Sequence, residues 1–375
     1  MARFGLISLA ISTLLCGVVN ATFNILSKNN VAVYYGQGPN QKRLTTFCAD
    51  PTIDIIILSF VDLFPQQANG YPGINFGNQC WGTTYNAPGK NVSQDALYMC
   101  PQLAQDLYTC RQSYSTKFLL SLGGASTEYQ LTGASNGTLF ANQLWKLFGP
   151  ANQTWINNGN PRPFDYTNAT TGVTSRFSVD GFDLDIEHPS TDGSAGYVAL
   201  VQQLRANFAT DKSQQFYLTA SPQCVVPDAN LATTLKAVQF DMLFVQFYNT
   251  PQCSARNWVN SNPNYVPGGA TNSSGFTFTS WVSFLAATTY SKTAPILITL
   301  PGSNAAASAG AYITVAQTQQ LANAYYCNAR FGGIGVWDAT YAQQSIANGG
   351  KFFYQNAKAT LNTASTDTRL SCNKK

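Results

Sequence analysis

The stretch DGFDLDIE, residues 180–187, decides the fold, because acidic and apolar side chains alternate along it. Four of the chain's 17 acidic residues lie within these eight positions. Successive side chains of a strand point to opposite faces, so Asp183, Asp185 and Glu187 share one face and the apolar residues between them share the other. We expect the apolar face to pack on helices and the acids to point into a barrel, whose catalytic face lies at the carboxyl ends of its strands.

Seven further segments have the apolar character of buried strands, and helical patterns lie between several of them. The eight predicted strands cover residues 31–35, 55–61, 118–122, 181–185, 216–220, 242–248, 296–300 and 333–337. Helical stripes are formed by Tyr197, Leu200, Val201, Leu204 and Phe208 and by Leu139, Phe140, Leu144, Leu147 and Phe148, with further outer helices at 314–329 and 351–361. This alternation predicts a TIM (β/α)8 barrel, an α/β fold, with a doubly wound open sheet as the alternative.

No linker or tandem repeat divides the chain. We therefore expect one catalytic domain at residues 22–375, with its core at about 29–362. Residues 63–93 have the composition of a long loop, which we expect at the rim of the site, and residues 254–274 have that of a second loop. The sequence thus predicts a single barrel whose loops extend over its catalytic end.

Residues 1–21 have the pattern of a secretory signal. One positive charge at Arg3 precedes a mostly apolar run, and Val19 and Ala21 supply the small residues of a cleavage site. A membrane anchor is the alternative, but the run is short of the roughly 20 residues that a spanning helix needs. We expect a secreted, extracellular protein without a membrane anchor.

Cysteine and asparagine patterns agree with export. Of nine cysteines, Cys16 lies in the signal, and the remaining eight predict four disulfides without fixing their pairing. Sequons for N-glycosylation stand at Asn91, Asn136, Asn152, Asn168 and Asn272. We expect a disulfide-stapled protein that is glycosylated at its surface.

Composition excludes several classes of function. Charged residues are 10% of the chain, and the net charge of +4 is not clustered, which argues against a nucleic-acid partner. A weakly charged surface rich in Tyr, Asn and Gln suits a neutral, hydroxylated partner such as a sugar. His188 is the only histidine and no C-x-x-C pair exists, so we expect no metal, no cofactor and no Ser-His-Asp triad. We expect a monomer.

Three carboxylates stacked inside a barrel cannot all ionise cheaply, because burial and mutual repulsion favour protonation. A proton shared along the column would keep Glu187 ready to protonate a leaving oxygen. Alternatives are a solvated acidic edge and a calcium site, but the neighbouring apolar residues oppose the first, and the stretch lacks the turns between ligands that a calcium loop has. Asp185 and Glu187 lie on one strand and cannot easily bracket a sugar ring, so the nucleophile is expected from a 2-acetamido group of the substrate.

At this motif the sequence resembles glycoside hydrolase family 18, in particular the fungal and plant class III chitinases of the hevamine type. The DxxDxDxE signature stands at Asp180, Asp183, Asp185 and Glu187, and SxGG stands at residues 121–124. Further matches lie at residues 34–37, 218–224 and 246–249. These motifs follow one another in the family's order over most of the chain, from about Val31 to Trp337.

The resemblance implies a role for each matching residue. Glu187 is the acid, Asp185 orients the acetamido group and stabilises the oxazolinium ion, Asp183 shares a proton with Asp185, and Tyr248 binds the acetamido carbonyl. Trp337 forms the floor of the central subsite. The other residues implied to bind substrate are Tyr34, Gln37, Phe60, Gly124, Gln246 and Asn249.

The resemblance also implies a disulfide pattern and a function. The implied pairs are Cys48 with Cys110, Cys80 with Cys100 and Cys224 with Cys253, which leaves Cys327 with Cys372. The implied function is a secreted endo-acting chitinase that binds chitin or chito-oligosaccharides and retains the β-configuration. The alternatives are an endo-β-N-acetylglucosaminidase acting on N-glycans and a non-catalytic lectin or inhibitor on the same scaffold.

Overall fold

The computed structural model describes residues 23–370 and residue 372. The expected signal sequence, residues 1–21, therefore lies outside the described residues. Within the described part, no helix has both the length and the apolar character needed to cross a membrane.

Within residues 23–370, ten strands are present, and eight of them close into a parallel barrel. The strands are β1 (Asn30–Tyr35), β2 (Ile55–Val61), β3 (Lys117–Gly124), β4 (Tyr166–Thr167), β5 (Thr174–Ser175), β6 (Gly181–Ile186), β7 (Tyr217–Ala220), β8 (Met242–Gln246), β9 (Ile296–Pro301) and β10 (Phe331–Trp337). The barrel runs β1-β2-β3-β6-β7-β8-β9-β10 and closes from β10 back to β1. The predicted TIM barrel is confirmed, and each of the eight predicted strands is present; the open sheet is excluded because β1 pairs with β10.

The barrel interior is filled by alternate residues of its strands. A separate cluster of buried side chains is formed by Ala32, Tyr34, Ile55, Ile57, Leu119, Met242, Phe244 and Leu297. Intervening residues such as Val31, Val33 and Tyr35 belong instead to the larger core that includes the helices. The interior of a barrel of this size is a packed core, so a substrate can reach only the ends of the strands.

The described residues form eleven α-helices. They are α1 (Leu44–Cys48), α2 (Pro101–Ser113), α3 (Ala134–Phe148), α4 (Gln153–Asn157), α5 (Ala195–Thr210), α6 (Ala232–Ala237), α7 (Ala255–Ser261), α8 (Phe278–Ala286), α9 (Val315–Tyr325), α10 (Ala339–Ala342) and α11 (Phe353–Thr366). The four predicted helices are α3, α5, α9 and α11. Leu139 was expected on the buried stripe of α3, but its side chain is 63% exposed, because Phe140 and Leu144 already fill the inward face.

One segment differs from the loop that the sequence predicts, and one short pair of strands was not predicted at all. Residues 254–274 contain α7, whose first turn is capped by the Ser254 side chain accepting a hydrogen bond from the Asn257 amide. The short antiparallel pair β4–β5 was not predicted, because each of its strands is only two residues long. Residues 62–100 form a long connection between β2 and α2, as expected for a rim.

Four disulfides join segments that lie outside the barrel strands. They join Cys48 to Cys110, Cys80 to Cys100, Cys224 to Cys253 and Cys327 to Cys372, which are the pairs implied by the resemblance. Cys80 and Cys100 lie within the rim segment between β2 and α2, so this bridge closes a loop inside the rim itself.

Candidate active site

The acidic column lies on β6 and ends at the carboxyl end of the barrel. Asp183 is fully buried, Asp185 is 3% exposed, and Glu187 follows directly after the last residue of the strand. Asp183 lies level with Ser121 of β3 and Thr219 of β7, and Asp185 lies level with Gly123. The alternation that was read from the sequence therefore delivers the three acids to one line, from the barrel interior to its surface.

Asp183 is surrounded by hydroxyl groups. It accepts hydrogen bonds from Ser121 Oγ at 2.8 Å, Thr219 Oγ1 at 2.7 Å and Ser221 Oγ at 2.9 Å, with Tyr34 Oη at 3.5 Å. Tyr34 Oη is also hydrogen-bonded to Ser221 Oγ. Burial raises the pKa of Asp183, and the hydroxyl donors oppose this rise by stabilising the charged form. Neutral donors, rather than a cation, satisfy this carboxyl.

Asp185 and Glu187 form a coupled pair. Their side chains are hydrogen-bonded to each other, and Gln246 Nε2 donates to Asp185 Oδ1 at 2.9 Å and to Glu187 Oε1 at 3.0 Å. Burial raises the pKa of Asp185 well above its usual value, and the negative charges of Glu187 and Asp183 raise it further. Burial also raises the pKa of Glu187. The pair therefore retains a proton at a pH at which an exposed pair would have lost both.

This pair opens into a pocket with an aromatic wall. Tyr34, Phe60, Ala125, Asp185, Glu187, Gln246, Tyr248, Asn249 and Trp337 line it. The ring of Trp337 stacks on Phe60 with centroids 5.9 Å apart, and it contacts Tyr34 at 5.5 Å. Burial, with the negative charges of Asp185 and Glu187, raises the pKa of Tyr248, so its hydroxyl remains a neutral hydrogen-bond donor. A flat apolar floor beside acids and a phenol can hold one sugar ring.

The backbone of Glu187 is fixed by a residue that the sequence did not reveal. The Glu187 amide donates to Tyr129 Oη at 3.0 Å, and Tyr129 Oη donates to the Gly124 carbonyl at 2.9 Å. Tyr129 thereby joins the ends of β3 and β6. The ring of His188 packs on Tyr129 with centroids 4.3 Å apart, which places the only histidine beside the pocket rather than in its lining.

Two side chains that were expected to bind substrate, Gln37 and Asn249, are hydrogen-bonded to neighbouring loops. Gln37 Nε2 donates to the carbonyls of Ser59 at 2.9 Å and Asn75 at 3.0 Å. Asn249 lines the pocket, but its Oδ1 accepts from the Ser308 amide at 2.8 Å. These side chains hold the loops around the pocket, and sequence alone does not reveal such loop-to-loop partners.

Gly124 was expected to touch substrate, but the pocket wall at this point is formed by its neighbour Ala125. The φ angle of Gly124 is +92°, and a Cβ there would lie 2.9 Å from the Phe60 ring. Gly124 is therefore required for the close approach of Phe60, which lines the pocket in its place.

The described residues also bear on the calcium alternative. Within residues 23–370 and at residue 372, no three side chains of His, Cys, Asp or Glu are grouped so as to hold a metal ion. Asp183 faces four hydroxyl groups, and Asp185 and Glu187 face each other and an amide. The arrangement favours proton transfer rather than cation binding.

Comparison with known proteins identifies close relatives among fungal enzymes. The chain is 39% identical over 333 residues to endochitinase A of Aspergillus niger, covering 88% of this chain and 24% of that protein. It is 38% identical over 333 residues to endochitinase A of Emericella nidulans, covering 88% of this chain and 32% of that protein. The chain thus spans about a quarter to a third of the length of these curated relatives.

Solved structures share the fold. The xylanase and alpha-amylase inhibitor protein of Scadoxus multiflorus superposes with a TM-score of 0.63 at 26% identity, covering 89% of this chain and 98% of that one. The chitinase of Ipomoea carnea has a TM-score of 0.63 at 24% identity, covering 88% and 99%. The profile of glycosyl hydrolases family 18 matches residues 30–277, a span that includes β1 to β8 and the acidic column. The chain belongs to glycosyl hydrolases family 18.

Proposed function

We propose that this protein is an endo-acting chitinase that hydrolyses β-1,4 linkages between N-acetylglucosamine units. The observation that carries the proposal is the buried Asp185–Glu187 pair, which opens into a pocket between Tyr248 and the ring of Trp337. The endochitinases named above support the same substrate, although the chain spans less than half of their length. The open pocket favours an enzyme over a scaffold lectin with a blocked cleft.

The geometry favours the acetamido group of the substrate as the nucleophile. A two-carboxylate retaining enzyme places its acids on opposite sides of the sugar ring, about 5–5.5 Å apart. Here Asp185 and Glu187 belong to one strand end and are hydrogen-bonded to each other, so both lie on the same side of a bound ring. Neither can attack the anomeric carbon from the face opposite the other, whereas a 2-acetamido oxygen is positioned to do so.

The proposed reaction has two steps. Glu187 donates its proton to the glycosidic oxygen while the acetamido carbonyl oxygen forms a bond to the anomeric carbon, so the leaving sugar departs as an alcohol and an oxazolinium ion forms. The Glu187 carboxylate then takes a proton from water, and the water oxygen attacks the anomeric carbon. The bond between this carbon and the acetamido oxygen breaks, which opens the oxazolinium ring and restores the acetamido group. The product has the β-configuration of the substrate, and Glu187 has regained its proton.

Neighbouring residues act on the acetamido group in this scheme. Asp185 faces the pocket beside Glu187 and stabilises the positive charge that develops on the acetamido nitrogen. The neutral Tyr248 hydroxyl donates to the acetamido oxygen and holds it under the anomeric carbon. Trp337 supplies the apolar surface on which the ring rests. The position of each of these side chains in the pocket wall supports its proposed role.

We also propose that the protein is secreted as a monomer after removal of residues 1–21 and carries N-glycans. Asn91, Asn152 and Asn272 are exposed, and Asn136 and Asn168 are partly exposed. All five can therefore be reached by a glycan-transferring enzyme, and the four disulfides suit an oxidising compartment.

The test uses the mature protein and its Glu187→Gln variant on chitin oligomers and on a high-mannose glycoprotein. We expect the wild type to release products from the oligomers, with the β-anomer seen first by proton NMR, and the variant to bind but react at least about 10²-fold more slowly. Cleavage of the glycoprotein in preference to the oligomers would show the N-glycan activity instead. Equal rates for the two proteins would refute Glu187 as the acid.

A further inference from the structure

The rim segment between β2 and α2, residues 62–100, carries an exposed tryptophan close to the catalytic pocket. We propose that Trp81 is the platform of a distal saccharide subsite, which stacks on one ring of the same β-1,4-linked amino-sugar chain that the catalytic pocket binds. The inference rests on the proposed function, because its occupant is the polymer whose cleavage is proposed above. It adds a binding site to that function and predicts a preference for long chains.

Trp81 is both exposed and firmly anchored. Its side chain is 75% exposed, the highest fraction among the large apolar side chains in the described part of the chain. The preceding residue, Cys80, forms a disulfide with Cys100. Two residues after Trp81, the Thr83 carbonyl accepts a hydrogen bond from the Met99 amide at 2.8 Å. Because the backbone is held at both flanks, stacking a ligand on the indole orders only two side-chain torsions.

The indole borders a depression whose other walls combine apolar residues with a few polar side chains. Its volume is about 270 Å³, and it is lined by Asp62, Asn75 and Tyr98 together with Trp81. The Asp62 carboxyl is hydrogen-bonded to the Asn75 side chain, which fixes both groups. A pyranose has an apolar C–H face and a rim of hydroxyl and amide groups, so an aromatic plane beside a carboxyl and a phenol matches both parts of it.

This depression adjoins the catalytic pocket at the carboxyl end of strand β2. Phe60 lines the catalytic pocket, and Asp62, two residues further along, lines the distal one, a spacing of about 6.5 Å along an extended chain. The Phe60 amide donates to the Asn75 carbonyl at 2.7 Å, and the Asn75 amide donates to the Phe60 carbonyl at 2.9 Å. The walls of the two pockets are therefore linked at Phe60 and Asn75, and successive rings of one sugar chain could lie along this line.

A saccharide fits this surface better than a protein partner does. Stable protein interfaces bury about 800 Å² on each partner and are centred on clustered anchors. Here one indole stands beside exposed Gly82 and Thr83 and next to a depression of about 270 Å³. The single platform suits one ring of a polymer that is already held elsewhere.

The experiment compares Trp81→Ala, Trp81→Phe and the control Tyr290→Ala, which removes another exposed aromatic ring outside both pockets. kcat/KM is measured on N-acetylglucosamine oligomers of three to six units. We expect the hexamer-to-trimer ratio to fall about tenfold in Trp81→Ala, equivalent to about 1.4 kcal/mol of binding free energy, to fall less in Trp81→Phe, and to stay at the wild-type value in Tyr290→Ala.

Two outcomes would overturn the subsite. One is a hexamer-to-trimer ratio in Trp81→Ala equal to that of the wild type, and the other is an equal fall in Tyr290→Ala. Failure of the proposed function is distinguishable, because the wild type would then cleave no oligomer. In that case calorimetry measures the binding of the hexamer. If Trp81 forms the subsite, Trp81→Ala must still bind the hexamer more weakly than Tyr290→Ala does.

Discussion

The two ends of strand β6 carry the same kind of side chain in opposite surroundings. At the amino end, the fully buried Asp180 accepts hydrogen bonds from Arg111 at 2.8 and 3.1 Å and from the Phe118 amide at 2.8 Å, and it is paired with Lys117 at 3.3 Å. At the carboxyl end, Asp185 faces another carboxyl and one amide. The first carboxylate is neutralised by cations, and the second is not.

Within one eight-residue motif, Asp180 therefore has a structural role and Asp185 has a role in the reaction. The Asp180 carboxylate links the start of β6 to α2 and β3 at the amino-terminal end of the barrel. Residues at this end of a TIM barrel contribute to stability rather than to catalysis. Asp185 is held next to Glu187 without a cation, so burial and repulsion favour one proton shared by the pair, which leaves the other carboxyl charged. Replacing each acid by its neutral amide should therefore have opposite effects on the stability of the protein.

The largest effect is expected for Asp180→Asn. The change leaves Arg111 and Lys117 without their anion, so we expect the free energy of unfolding to fall by about 3 kcal/mol, as for other broken buried ion pairs. Denaturant unfolding measures this loss. The exposed Glu128→Gln, which also replaces an acid by its amide, is the control, with an expected change below about 0.5 kcal/mol. A decrease in the free energy of unfolding no larger than that of the control would contradict the structural role of Asp180.

Asp185→Asn should show the reverse pattern. We expect kcat on chitin oligomers to fall about 10²-fold, because the charge that stabilises the oxazolinium ion is removed. The free energy of unfolding near pH 7 should rise by about 1 kcal/mol, since a buried acid with a raised pKa destabilises the fold once it ionises. The gain should disappear as the pH falls below about 4, where the carboxyl is protonated in the unfolded chain too. Destabilisation at pH 7 would contradict this account.

Asp183→Asn should shift the pH profile of kcat/KM. The negative charge of Asp183 raises the pKa of Asp185, so its removal lowers the pKa values of the coupled pair. Activity, which requires a proton on Glu187, should then be lost at a pH lower by about one unit on the alkaline side. A shift to higher pH would show that Asp183 acts on the pair by another route.

Gln246→Leu should give a smaller shift of the opposite sign. Gln246 Nε2 donates to both acids and stabilises their charged forms, so its loss raises both pKa values. We expect the alkaline limb of kcat/KM to move up by about half a unit. The alkaline limb of the wild-type kcat/KM profile should therefore lie between those of Asp183→Asn and Gln246→Leu. Shifts of the same sign in both variants would contradict the proposed interaction between the two acids.

The sequence predicted the framework because periodicity is a local property. Apolar runs located all eight barrel strands, and alternation placed the acids on one face. The hydroxyl groups around Asp183 could not be derived in this way, because Ser121 of β3, Thr219 of β7 and Ser221 just after β7 meet it only in the register of the closed barrel. Tyr129 was missed for the same reason.

Some individual expectations also depended on packing that sequence does not show. Leu139 was assigned to a buried stripe that neighbouring residues already fill, and Gly124 gives its space to the Phe60 ring. The disulfide pairs came from the resemblance, since eight cysteines allow 105 pairings. The distal Trp81 carries no motif and was found only through its exposure beside the pocket.

The most direct test of the account varies the nucleophile itself. Oligomers are prepared with acetamido, fluoroacetamido, difluoroacetamido or trifluoroacetamido groups, and their rates of hydrolysis by the wild type are compared. We predict a steep fall with each added fluorine, because electron withdrawal weakens the carbonyl oxygen that must attack the anomeric carbon. Rates that do not depend on fluorine content would contradict the proposed attack by the substrate's amide.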